Sequence, residues 1–247
     1  MVAESPDGHD SRSSAVVVHL RVSTGRAGDR LERRWGADAL ELNLYQLVAD
    51  PGRSSLSIES EIRDMVAAPK RTLQIPLAVK LAVFLTAPAH FARELDRAGA
   101  DGLILFNRVY HPLIDIETST LRPHVELSSR TELLTRLAWV PILRRLIKGS
   151  LAISGGVDAP DDGIRAILAG ADAVQMVSAI VRRGEDYFGV MRDALAEWLE
   201  KKGFRSVDDA RGVIGTPAAD AVELVERAGY LSTLHSAPAV SNSPPSE

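Results

Sequence analysis

Residues 150–184, SLAISGGVDAPDDGIRAILAGADAVQMVSAIVRRG, contain the groups best suited to hold an anion. A short apolar run at 151–153 stops at Ser154-Gly155-Gly156, and Pro160 then falls in the first turn of an amphipathic helix. That helix reads to Gly170, a residue suited to the left-handed position after a helix. A strand follows at 173–177, and a second helix starts at Ser178-Ala179. Two consecutive strand ends thus offer backbone N–H groups near helix N-termini, which is how a fold cradles a phosphate. The competing reading is that Gly155-Gly156 is only a tight turn. Three further apolar strands end in polar residues: Asn43 closes ALELN, Lys80 closes PLAVK and Asn107 follows GLILF. Singly, such an Asn is a turn former and such a Lys a solvated cation. Together they mark the strand ends at which a (β/α) barrel builds its active site. Alternation at period two puts Glu41 with Asn43 on one face of a strand and Ala78 with Lys80 on one face of the next. Glu41 and Lys80 are therefore expected to pair inside the barrel.

The elements that must carry these groups alternate along the chain. Strands read at 16–20, 39–44, 77–81, 102–106, 150–153 and 173–177. Helices read at 29–35, 58–72, 88–98, 132–148 (interrupted by Pro141), 185–202, 207–212 and 217–228. This alternation implies a parallel sheet. The tripeptide Gly-Ala-Asp recurs at 36–38, 99–101 and 170–172, each time just before a strand. Its spacing is about two β/α units, an internal repetition. Gly closes a helix, Ala permits close packing and Asp opens the strand, so all three copies read as structural. Residues 108–129 form a long excursion that reads as a small hairpin over the strand ends. The polar stretches 1–14 and 236–247 read as disordered tails, which leaves 15–235 as one domain.

Composition bounds the chemistry. The 247 residues are 45% apolar, enough for a sizeable core. The net charge of −4 does not point to nucleic acid or a membrane surface as partner. The chain has no cysteine, which excludes disulfides, thiolate metal sites and a cysteine nucleophile. No run of 18 or more apolar residues occurs, and a cytoplasmic protein acting on a small molecule is expected. His19, His90, His111 and His124 have no metal-ligand spacing. His111, in the excursion, is a candidate for a substrate mouth. Trp35, Trp139 and Trp198 fall in helices and read as packing residues. The C-terminal helices are expected to be barrel exterior or the contact of a homodimer.

The ordered set ADALELN, IPLAVKL, AGADGLILFNR, SLAISGGV and AGADAVQMVSA resembles the flavin-binding barrel of the dihydroorotate dehydrogenases. YHPLIDIET, VELSS and RAGYLSTLHS are similar to the branch called dihydroorotate dehydrogenase-like proteins, and the likeness runs from about residue 16 to 236. The resemblance implies an α/β fold of the TIM (β/α)8 type, FMN as cofactor, and oxidoreductase chemistry on a CH–CH bond of a pyrimidine-related substrate. It implies that Asn43, Lys80 and Asn107 are the catalytic group. Asn43 and Asn107 resemble the amides that touch the flavin ring and substrate. Lys80 resembles the lysine at the flavin N1/O2 edge, where a cation stabilises the negative charge of the reduced ring. Gly155, Gly156, Val177 and Ser178 resemble the backbone cradle of the FMN phosphate, and no metal is implied.

Two departures from the pattern stand out. The family places a cysteine or serine base three residues after the strand-end Asn; Gln46, in NLYQ, occupies that position here. An amide is no general base at any accessible pH, and the neighbouring Tyr45 hydroxyl is the one substitute at hand. The six strands are also fewer than the eight of a closed barrel, so an incomplete barrel lacking the family's first two strands is expected. Two other functional readings stay open. One is a flavin-free phosphate-binding barrel enzyme using Lys80 as a Schiff-base or cationic group; the other is a non-catalytic barrel fragment.

Overall fold

The computed structural model describes residues 17–21, 37–44, 48–108, 112–124 and 126–215. The expected tails, the helices at 29–35 and 217–228, the domain limit at 235, Tyr45, Gln46 and His111 lie outside them. Residues 1–214 form one compact unit, and the second, 215–247, falls beyond the described residues except for Gly215.

The six expected strands are present and parallel. They are β1 (Val17–Arg21), β2 (Ala39–Asn43), β3 (Leu77–Lys80), β4 (Gly102–Leu105), then, after a small hairpin, β7 (Ser150–Ser154) and β8 (Ala173–Gln175). Their order is β1-β2-β3-β4-β7-β8, so each new strand is added at the same edge, as in a TIM-type barrel wall. Among the described residues β1 and β8 end this order and no pairing joins them. The excursion is the hairpin of β5 (Leu113–Asp115) and β6 (Thr120–Arg122). Its turn is held by Asp115 Oδ1, which accepts the N–H groups of Glu117 and Thr118, each at 3.0 Å. The Thr118 N–H, chief among the contacts here, holds the Asp115 carboxyl below its ordinary pKa.

The helices are α1 (Ser55–Lys70), α2 (Pro88–Arg97), α3 (Arg130–Arg144), α4 (Pro160–Ala169), α5 (Ser178–Arg183), α6 (Tyr187–Lys202) and α7 (Val207–Ala210). Their ends follow local chemistry. Ser54 Oγ accepts from Ser57 N–H at the start of α1, and Glu132 reaches back to Ser129 N–H at the start of α3. Pro160 opens α4 and Gly170, at φ 112°, closes it, as the sequence predicts.

Register divides the sheet into two unlike faces. Leu40, Leu42, Leu77, Val79, Leu103, Leu105, Leu151 and Ile153 share one face, and all are buried. Phe91, Ala92 and Leu95 of α2, Val66 of α1, and Val140 and Leu143 of α3 belong to the same core. Each fully buried aliphatic side chain there contributes about 1.5–3 kcal/mol of transfer free energy. The other face carries Glu41, Asn43, Ala78, Lys80, Ile104, Ala152, Ser154 and Gln175. Small and polar residues predominate on that face, and the strand-end residues singled out in the sequence lie at its carboxyl end.

The Gly-Ala-Asp repeat locks the opposite end of the strands. Asp101 N–H donates to Leu77 O (2.9 Å) while Asp101 Oδ2 accepts Leu77 N–H (2.7 Å). Asp172 does the same with Leu151, at 2.7 Å in both directions. Each aspartate, one residue ahead of its own strand, thus ties the start of that strand to the start of the neighbour. Ala100 and Ala171 are buried at these joints, and Gly99 and Gly170 adopt positive φ. Asp172 also accepts from Arg144 Nη1 at 2.6 Å and lies 3.1 Å from Arg211 Nε. Asp172→Ala strips these partners, and it should lower unfolding free energy by about 2–3 kcal/mol, the scale of lost hydrogen bonds to a charged group. Urea denaturation checks this; a loss below roughly 0.5 kcal/mol, the scale of a neutral surface change, would contradict the joint's structural role.

Among the described residues no helix is long and apolar enough to cross a membrane.

Candidate functional site

Three strand-end residues singled out in the sequence meet on the polar face. Asn43 and Lys80 are register partners at the ends of β2 and β3. Asn107 is brought alongside because its N–H donates to Leu81 O (2.6 Å), extending the β3–β4 pairing beyond the strand. Asn107 Nδ2 donates to Asn43 Oδ1 at 2.6 Å, and Asn107 Oδ1 accepts Arg108 N–H at 2.9 Å. The Asn107 amide is thereby oriented from both ends.

Beneath them lies a charged cluster. Lys80 Nζ is 3.2 Å from Glu41 Oε1, the pairing expected from strand alternation. The two side chains are 13% and 1% exposed, so this pair is inside the protein. Gln175 completes it: Lys80 Nζ donates to Gln175 Oε1 (2.8 Å) and Gln175 Nε2 donates to Glu41 Oε2 (2.7 Å). Gln175 is not among the residues the sequence reading selected. The strand read as 173–177 stops at Gln175, which makes Gln175 a strand-end polar residue like Asn43 and Lys80; the same signal marks it once the boundary is right.

This triangle also reports the shape of the sheet. From β2 to β8 there are four strand spacings, roughly 19 Å if the sheet were flat. A Glu and a Gln side chain cannot bridge that distance, yet they meet at 2.7 Å. The sheet therefore curls around its polar face.

The turn after β7 forms the second group. Gly155 and Gly156 have φ of 89° and 81°. A Cβ on Gly156 would lie 2.4 Å from Leu133 N, so only glycine lets the turn seat against the first residues of α3. Arg136, buried in α3, donates to Ser154 O (3.1 Å) and Glu132 O (2.8 Å), clamping the strand end to the helix. Burial lowers the pKa of its guanidinium, with Glu132 opposing the effect. Val177 is exposed, whereas Ser178 is buried and its hydroxyl accepts Ser128 N–H at 2.9 Å. Arg182 ties the same region together, donating to Asp158 Oδ1 and Ser128 O, both at 2.9 Å. Ser154 and Gln175 are register partners, which joins the turn group to the charged cluster. Among the described residues no group of three or more His, Cys, Asp or Glu could hold a metal.

A parallel α/β sheet of this order, with a polar cluster at the carboxyl ends of its strands, defines the chain as one of the TIM-barrel class of fold. A search against family models finds no match. Curated relatives do match. The chain is 30% identical over 186 residues to the catalytic subunit of dihydroorotate dehydrogenase B (NAD(+)) from Methanothermobacter thermautotrophicus, covering 72% of this chain and 60% of that one. It is 28% identical over 214 residues to the corresponding subunit from Methanosarcina acetivorans, covering 81% and 67%. A crystal structure of the Eimeria tenella dihydroorotate dehydrogenase in complex with ferulenol superimposes with a TM-score of 0.58 at 23% identity, covering 78% of this chain and 60% of that one. The chain is thus similar in sequence to dihydroorotate dehydrogenases and shares the fold of one. It spans about 60–67% of the length of the curated relatives named here.

Removing Lys80 while Glu41 stays buried takes away the cation that faces its carboxylate. Lys80→Met is expected to cost about 3 kcal/mol, whereas Glu41→Gln/Lys80→Met should regain most of that loss. Urea denaturation of both variants measures it; a double variant as unstable as the single one would show that charge pairing is not what Glu41 needs.

Proposed function

We propose that this chain is an FMN-dependent oxidoreductase acting on a CH–CH bond of a pyrimidine-related small molecule. The observation that carries the reading is the convergence of Asn43, Lys80 and Asn107 at the mouth of the curled sheet, beside the strand whose end carries Gly155-Gly156. The donor set suits a flavin. Lys80 has three N–H groups and spends two on Glu41 and Gln175, leaving one for a ligand oxygen. Asn43 Nδ2 donates to no described residue, while its Oδ1 is fixed by Asn107. Gly155 and Gly156 have positive φ, a conformation that bare glycine backbone adopts readily and that suits a close approach of backbone to a bound group.

In this reading Asn43, Asn107 and Lys80 hold the ring, and the backbone at Gly155, Gly156, Val177 and Ser178 holds the phosphate. FMN, when bound, supplies the hydride acceptor or donor. Lys80 places positive charge where the ring system gains negative charge, and its burial makes that charge effective.

The experiment is the visible absorption spectrum of the purified full chain after loading with FMN and removing the excess. Flavin bands are expected to stay with the protein. Asn107→Ala should weaken retention about tenfold, the scale of one or two hydrogen bonds, with circular dichroism unchanged. A colourless wild type would overturn the reading.

Gln46 adds a second test, because an amide cannot remove the substrate proton. With dihydroorotate the wild-type chain should turn over poorly, and Gln46→Cys should raise the rate by about 10²-fold or more if a base is what is missing. Steady-state kinetics on the FMN-loaded proteins reads this out. An unchanged rate would mean that position 46 does not supply the base in this chain.

A further inference from the structure

The Gln175 amide stands between the two members of a buried ion pair. Its Oε1 accepts from Lys80 at 2.8 Å and its Nε2 donates to Glu41 at 2.7 Å. Only this orientation satisfies both neighbours; the reversed amide would set N–H against the ammonium and oxygen against the carboxylate. Lys80 sits on a flexible four-carbon stem, and Glu41 Oε1 at 3.2 Å restrains it from one neighbouring strand. Gln175 supplies a second and shorter anchor from β8, three strands away in the other direction. Two fixed acceptors determine where the third N–H of the ammonium points.

We propose that Gln175 is the positioning residue for Lys80: its amide holds the ammonium from across the curled sheet and aims the remaining N–H at the bound ring. The aiming part rests on the flavin reading above; the anchoring part does not. Leu or Ala at 175 would leave Lys80 with one anchor and Glu41 with one donor fewer, so the ammonium would sample more directions before a ligand arrives. Ordering it again upon binding would then be charged against affinity. A residue that only braced the sheet would instead weaken binding whether or not Lys80 were present.

The test is a double-mutant cycle on FMN affinity in the full-length chain, read by flavin fluorescence quenching. Gln175→Ala is expected to weaken FMN binding about tenfold, the weight of one hydrogen bond to a charged group. In the Glu41→Gln/Lys80→Met background the same change should matter less than about twofold, since the group it acts on is gone. Equal losses in both backgrounds would overturn the proposal. Gln175→Leu, which retains side-chain bulk, guards against a loss caused by a cavity; it should behave as Ala does. If Gln175→Leu binds FMN like the wild type, the amide is not what matters and the proposal fails. If the wild type or the Lys80-free background takes up no FMN, acetic anhydride labelling of Lys80, measured by mass spectrometry against the exposed Lys201, decides instead. Release of Lys80 by Gln175→Ala and Gln175→Leu, seen as labelling about tenfold faster, supports the anchor even if the flavin reading is lost. Unchanged labelling in both variants overturns it.

Discussion

A carboxylate in the interior of a curved sheet is the constraint around which this protein is built. Glu41 is among the largest fully buried side chains, on a strand whose other buried neighbours are leucines. Desolvating a carboxylate costs several kcal/mol unless partners replace the lost water. Lys80 and Gln175 are those partners, and they come from different strands of the sheet. The sheet must curl for Gln175 to arrive. Polar satisfaction and curvature are therefore one requirement seen from two sides, and the mouth above Glu41 inherits its shape from it.

The two ends of the strands are built differently. At the amino ends, Asp101 and Asp172 each exchange two hydrogen bonds with the start of the adjacent strand, and the alanines before them allow the close approach. At the carboxyl ends, Asn43, Lys80, Asn107 and Gln175 face one another rather than the helices. The apolar face between can then be filled with leucine, isoleucine and valine without regard to ligand. The likeness to the Eimeria tenella structure, at 23% identity, is a likeness of fold.

Gly156 shows how a residue can be required for more than one reason. Its sequence context points to an anion, and its positive φ suits that. Its tightest constraint is nevertheless packing, because a Cβ there would meet the backbone of Leu133. The turn and the first residues of α3 are thus pressed together, and Arg136 bolts them by way of the Ser154 carbonyl. Packing therefore sets the shape of this turn before any other demand is placed on it.

Much of this was legible in the sequence, for local reasons. Alternation at period two determined which residues of β2 and β3 share a face, so the Glu41–Lys80 pair could be expected before any coordinates. Pro160 and Gly170 bounded α4, and the Gly-Ala-Asp repeat located the amino-end joints, because helix starts, left-handed caps and strand openings are properties of a few adjacent residues. Gln175 escaped because its role depends on β8 meeting β2 across the curl, a distance set by four intervening strand pairings and by no local pattern. The Gly156–Leu133 approach and the Arg136 clamp escaped for the same reason. Sequence by itself determined the elements and the face on which each polar residue lies; the tertiary structure decided which of them touch, because contact across a curved sheet depends on the accumulated twist and register of every strand between.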